Sequence, residues 1–206
     1  MIDARVRLIY NVSMNDEEKR ACRKGAETLG RFQVKVEEAI AGPDAGKLIR
    51  NGPLVSIMAG GNGLFTLGES MFRPFRFSLT DTDTRMLTVG ITPHAMDDGE
   101  RRRFVVGKAL AGAVVSLADL RRAEGGAYRG LDAQTYLDAL GKLTEHAMGL
   151  ALIQRGSCGN PSCIMQEASD IIGFVAKIAR LRLDFCGECQ ERIRSTVTNI
   201  MYFAMA

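Results

Sequence analysis

An α/β sandwich is predicted for this chain, and three observations carry the prediction. Short runs of alternating apolar residues are interleaved with helical patterns up to about residue 130. Beyond that point the apolar spacing is mainly helical. Four of the five cysteines sit near the C-terminus as two close pairs, Cys158-x4-Cys163 and Cys186-x2-Cys189. Each short knuckle can place two sulfurs in one coordination sphere, and two knuckles complete a tetrahedral thiolate zinc site.

In chain order, Ala4 to Tyr10 reads as a strand with Val6, Leu8 and Tyr10 on one face. Asn15 followed by Glu18 is a capping signal that opens a helix to about Leu29. Phe32, Val34 and Val36 alternate and predict a second strand, which Gly42-Pro43-Asp44-Ala45-Gly46 breaks. Leu54 to Ala59 is a short apolar run before a turn at Gly60, Gly61 and Gly63, and Phe75, Phe77 and Leu79 alternate again. Met86 to Thr92 is strongly strand-like and stops at Pro93; Leu110 to Leu117, rich in small and β-branched residues, is another strand. Arg121 to Gly130 reads as a charged, glycine-rich loop. Asp132 can cap a helix over about Ala133 to Ile153, with Tyr136, Leu140, Leu143, Ala147 and Leu150 on one stripe and Gly156 ending it. Ile171 to Leu183 reads as helix, and Thr196 to Ala206 as an apolar tail packed on the core.

A chain of 206 residues, 46% hydrophobic and 25% charged, suits one domain over 1–206, with a sheet-rich upper part (1–130) and a helical part with the cysteines (131–206). A domain of this size buries most of its apolar surface, so zinc need not supply all the folding energy. The net charge of +3 gives no strong case for nucleic acid or an anionic membrane. The run Arg101, Arg102, Arg103 reads as a solvated loop. No N-terminal stretch combines a basic start with an apolar core, and no apolar run is long enough to span a bilayer. The cysteine pattern therefore belongs to a reducing cytoplasm, where thiolates persist as metal ligands.

The segments Cys158-Gly-Asn-Pro-Ser-Cys163-Ile164-Met165 and Phe185-Cys186-Gly-Glu-Cys189 resemble the C-x4-C-x-M and C-x-x-C segments of the archaemetzincins, a cytoplasmic branch of the metzincin zinc peptidases. The stretch from Gly107-Lys108-Ala109 to Ala113-Val114-Val115-Ser116-Leu117 is similar to that family's edge strand beside the substrate cleft. The resemblance covers about Met86 to Ile193. It implies a twisted mixed sheet above an active-site helix, a Met-turn at Met165 beneath a catalytic metal, and a C-terminal helical part holding a structural zinc on Cys158, Cys163, Cys186 and Cys189.

The family's H-E-x-x-H-x-x-G-x-x-H motif is missing. One register lays His146 on the second histidine and Gly149 on the glycine; the first ligand position is then Lys142, the base position Leu143 and the third ligand position Leu152. A second register, counted back from Cys158, puts the ligand positions at Ala147, Ala151 and Ser157 and the base position at Met148. Both remain open. The chain has two histidines in all, His94 and His146, so no alignment supplies three imidazoles. An ammonium at Lys142 would repel a divalent cation, and leucine and alanine offer no side-chain lone pair. Without the glutamate there is no base in that place to take a proton from metal-bound water.

The plainer readings stand beside these. His146 can be a neutral, hydrogen-bonded helix histidine, and His94 after Pro93 a surface-turn residue. Lys142 can pair with Asp138 four residues earlier, or serve as a metal surrogate or anion contact in the former cleft. Cys22 reads as a packed thiol. Glu145 is a carboxylate, but adjacent helix positions point about 100° apart, so it does not naturally share a site with His146. The expected function is a zinc-binding pseudo-peptidase without the catalytic zinc, taking a peptide on an edge strand near Ala109–Val115, where Ala109, Ala111, Gly112 and Ala113 leave room for side chains. An atypical active zinc metalloprotease with a site rebuilt around His146 is the alternative. A zinc-ribbon nucleic-acid module, suggested by Arg180, Arg182, Arg192 and Arg194, is disfavoured by the 6% aromatic content.

Overall fold

Alternating burial along Ala4–Tyr10 (β1) sets the frame: Ala4, Val6, Leu8 and Tyr10 are buried, while Arg5 and Arg7 turn the other way to meet Glu37. The computed structural model describes residues 4–11, 13–40, 64–66, 86–93, 95–97, 102–108, 112–125, 131–153, 158–166, 168 and 170–203. The expectations for 42–46, 54–63, 75–79, His94, Arg101, Ala109–Ala111, Gly126–Gly130, Gly156 and Ser157 lie outside these residues.

The main sheet joins β1 to Val34–Ile40 (β2) on one side and to Met86–Thr92 (β4) on the other, all parallel. Gly112–Ser116 (β8) pairs parallel with β4, and Val105–Lys108 (β7) closes that side antiparallel to β8. The order is β2-β1-β4-β8-β7. Leu64–Thr66 (β3), Ala95–Asp97 (β5) and Arg102–Arg103 (β6) form a second, three-stranded sheet. The expected edge strand near Ala109–Val115 is thus corrected: its described part, Gly112–Val115, is an inner strand, hydrogen-bonded on both flanks and buried throughout, and among the described residues the edge is β7. Small and β-branched residues there fill a two-sided interior rather than make room for a partner. Gly112, at φ 137°, adopts a conformation that a side chain would strain.

The helices follow their capping signals. Asp16–Glu27 (α1) carries the full capping box: the Glu18 amide donates to Asn15 Oδ1 at 2.8 Å and the Asn15 amide to Glu18 Oε2 at 3.0 Å. Ala118–Gly125 (α2) makes helix of Arg121–Gly125, the first half of the stretch expected to be a loop. Its anchors, Leu117 and Leu120, are fully buried, so apolar burial at its start holds a segment whose charges and glycines suggested none. Glu18 is buried, and it accepts from Arg121 of α2 and from the Tyr136 hydroxyl, which ties the cap of α1 to both following helices.

Ala133–Leu152 (α3) starts where Asp132 Oδ1 accepts the Thr135 amide at 2.8 Å. From Leu143 to Leu152 it is buried on every side, packed against β4, β7 and β8, α1, and Ile171–Arg180 (α4). Gly187–Phe203 (α5) is a continuous helix where only an apolar tail from Thr196 was expected. Cys189, Ile193 and Val197 are buried at helical spacing and fix its inner face. Among the described residues no helix is long and apolar enough to cross a membrane.

Candidate metal centre

Cys158 lies just after α3, Cys163 in the turn that follows, and Cys186 and Cys189 at the start of α5. Their four sulfurs lie within 4.8 Å of one another. Cys158 and Cys186 are 3.6 Å apart and Cys163 and Cys189 3.7 Å. A disulfide requires about 2.05 Å. Four thiolates about 2.3 Å from a zinc ion, at tetrahedral angles, lie about 3.8 Å from each other. The cluster therefore matches a zinc cage and not a pair of disulfides.

The surroundings suit thiolate ligands. The amides of Met165 and Cys186 each donate to Cys163 Sγ at 3.4 Å, and such outer bonds orient a ligand and stabilise its charge. Cys189 sits in the first turn of α5, at the positive end of the helix dipole. Burial pushes the Cys163 and Cys189 thiols up. Burial acts on Cys186 in the same direction, but hydrogen bonds from the Cys189 amide and the neighbouring thiols outweigh it and hold Cys186 below the usual range. Protons leave this cluster when a cation arrives, which couples metal binding to pH.

The two knuckles are fastened to each other and to the rest of the fold. Ile164 donates its amide to the Asp184 carbonyl at 2.9 Å, and Cys163 and Asp184 form a parallel bridge. Arg31, in the turn before β2, grips the Asp184 carboxylate with both terminal nitrogens and lies over the Phe32 and Phe185 rings. No motif in the sequence singles out this Arg31–Asp184 contact, because it spans most of the chain.

The expected cleft positions are packed. Leu143, Ala147, Met148 and Ala151 are fully buried, Leu152 and Met165 nearly so. Met165 seats against Gly149: a Cβ there would come 2.3 Å from Met165 Sδ and 2.8 Å from Phe185 Cε1, so the helix glycine admits the turn and the ring together. His146 is buried, its Nδ1 2.6 Å from the Ile164 carbonyl and its ring edge-on to Phe174. A carbonyl only accepts, so Nδ1 carries the proton. Burial lowers the His146 pKa, partly countered by that bond.

Lys142 does not pair with Asp138, whose Oδ1 accepts from Gln134 instead. It donates to Glu145 Oε2 and to the Leu183 carbonyl, both at 2.7 Å. Glu145 is buried, and its Oε1 has no hydrogen-bond partner among the described residues, although the Arg31 guanidinium approaches it to 3.8 Å. Burial raises its pKa against the pull of Lys142. Lys142 and Glu145 thus form one cluster, and His146 faces another.

No family model matches the sequence, and no curated protein matches it. Solved structures do. The archaemetzincin from Methanopyrus kandleri superposes with a TM-score of 0.68 at 17% identity, over 95% of this chain and 96% of that one. This chain has an archaemetzincin-like fold. A zinc-dependent peptidase from Methanocorpusculum labreanum gives 0.60 at 18% identity, covering 91% of this chain and 99% of its own. The archaemetzincin from Archaeoglobus fulgidus, complexed with malonate, gives 0.52 at 16% identity over the same shares. At such identities the agreement is one of archaemetzincin-like architecture, and the chemistry has to be argued from this chain's own side chains.

Proposed function

We propose that this chain is a zinc-binding pseudo-peptidase: an archaemetzincin-like scaffold that keeps a structural zinc on Cys158, Cys163, Cys186 and Cys189 and has lost the catalytic one. The observation that carries the reading is the state of His146. It is one of two histidines in the chain, and its Nδ1 is committed to the Ile164 carbonyl inside the core. In one register its partners are an ammonium already engaged by Glu145 and two buried leucines; in the other, the described positions are two alanines and a methionine, all fully buried. Neither set offers the imidazoles and the carboxylate that activate a metal-bound water. Bound zinc would cross-link the turn after α3 to the start of α5, a contribution to folding rather than to hydrolysis. Reduced thiols are the form that binds it, which supports a cytoplasmic setting.

A peptide-binding role, where retained, belongs to β7 rather than to β8. Val105–Lys108 closes the sheet, and an extended segment pairing along it would use main-chain hydrogen bonds. The test is zinc content and proteolysis measured on one preparation, with and without a strong chelator. One zinc per chain and no chelator-sensitive cleavage are expected. Two zinc ions per chain, or a zinc-dependent cleavage that Glu145→Ala abolishes, would overturn this reading; cleavage lost in His146→Ala would favour the atypical protease with a site rebuilt around His146.

A further inference from the structure

A cavity of about 480 Å³ opens between α1, α3 and α4, on residues the four-cysteine centre does not use. That volume lies within the range of small-molecule sites. Ala21, Leu137, Ile178, Leu181 and Leu183 provide apolar wall. Leu181, 38% exposed, is one of two large apolar side chains left exposed among the described residues, and it stands on this cavity. Gly25 and Gly141 line it too, where α1 and α3 come closest.

The charges around it are unevenly answered. Arg20 is met by Glu17 and Lys142 by Glu145. Lys24 from α1 and Arg182 from the segment after α4 line the same cavity, and neither makes an ion pair among the described residues. Among the described residues, Asp138 is the one lining carboxylate without a cation of its own. Lys142 has placed two of its three N–H bonds, on Glu145 and on the Leu183 carbonyl, so one remains. The lining carries four cationic and three acidic side chains, an excess of one positive charge beside an apolar wall.

We propose that this cavity binds a small amphipathic monoanion: an aliphatic or aromatic body against the leucines and Ile178, ending in a carboxylate held by Lys24 and Arg182. The inference does not rest on the pseudo-peptidase reading, since it uses none of those residues in a catalytic role. Charge complementarity selects the occupant. A cation of the same shape would meet one unanswered carboxylate, Asp138, against two unanswered positive groups, and a neutral molecule would leave both of those unanswered.

The probe is octanoate, compared with octylammonium and octanol on the zinc-loaded protein. Backbone amide shifts are followed by NMR, and thermal stability is measured alongside. Octanoate is expected to shift amides of Ala21, Lys24, Leu137 and Ile178 and to raise Tm, with the other two probes weaker. The double reversal Lys24→Glu, Arg182→Glu lies on exposed side chains and is expected to weaken octanoate roughly tenfold, the equivalent of about 1.4 kcal/mol. It should also turn the preference toward octylammonium. Equal binding of all three probes overturns the proposal. So does octanoate binding that the double reversal leaves unchanged, or no amide shift at millimolar octanoate.

Discussion

Gly25→Ala probes the contact that seats the first helix on the long central one. A Cβ at Gly25 would lie 2.0 Å from the Gly141 carbonyl oxygen, 2.8 Å from its carbon and 3.2 Å from its Cα. All three are backbone atoms of α3, which is buried against the sheet and cannot swing aside as a side chain could. To restore a contact of about 3.4 Å, α1 must retreat by about 1.4 Å, and a gap of that size forfeits much of the dispersion energy along the helix pair. Overpacking against such an obstacle costs about 3 kcal/mol, the upper part of its range. Alanine recovers about 1 kcal/mol over glycine in a helix. The net expectation is a loss of about 2 kcal/mol. Gly30→Ala is the control, since a Cβ there meets nothing within 4 Å. Urea unfolding at fixed zinc should place Gly25→Ala well below wild type and Gly30→Ala within about 0.5 kcal/mol of it. If Gly25→Ala unfolds at or above the wild-type midpoint, the close crossing of α1 and α3 is wrong.

Two further expectations follow from buried groups. Arg121→Ala strips Glu18 of its cation while the carboxylate stays buried; because the Arg121 side chain keeps 32% of its surface exposed, the cost should be about 2–3 kcal/mol, short of the full penalty for a buried pair, read from the same urea curves. The folded-state pKa of His146 lies below its ordinary 6.5, so its contribution is intact above that value. As the pH falls below 6.5 the unfolded chain takes up a proton that the folded protein resists, and stability declines toward the folded-state pKa. Nitrogen NMR above pH 6.5 should show a neutral ring with its proton on Nδ1, and a neutral ring carrying its proton on Nε2 instead would contradict the buried bond to Ile164.

Where a feature depends on neighbouring residues, it was legible in the sequence. Asn15 with Glu18 and Asp132 before Ala133 announce helix starts because each cap is closed within three residues. Met86–Thr92 stops at Pro93 as expected, and the paired spacing of the cysteines led to the cluster. Features set by distant partners were not legible. Gly112–Ser116 reads the same whether it edges the sheet or lies inside it, and β7 decides which. Lys142 had two carboxylates within helical reach, Asp138 and Glu145, and the Leu183 carbonyl at 2.7 Å favours the arrangement with Glu145. The start of α5 was not legible because the spacing of Cys186 and Cys189 speaks of metal ligation and not of helix, although Cys189, Ile193 and Val197 have helical spacing.

X-ray absorption at the zinc edge, on protein purified without added metal and with zinc counted per chain, addresses the proposed function most directly. One zinc ion with four sulfur neighbours at about 2.3 Å is the expected result. A second ion, or nitrogen in the coordination shell, would contradict it.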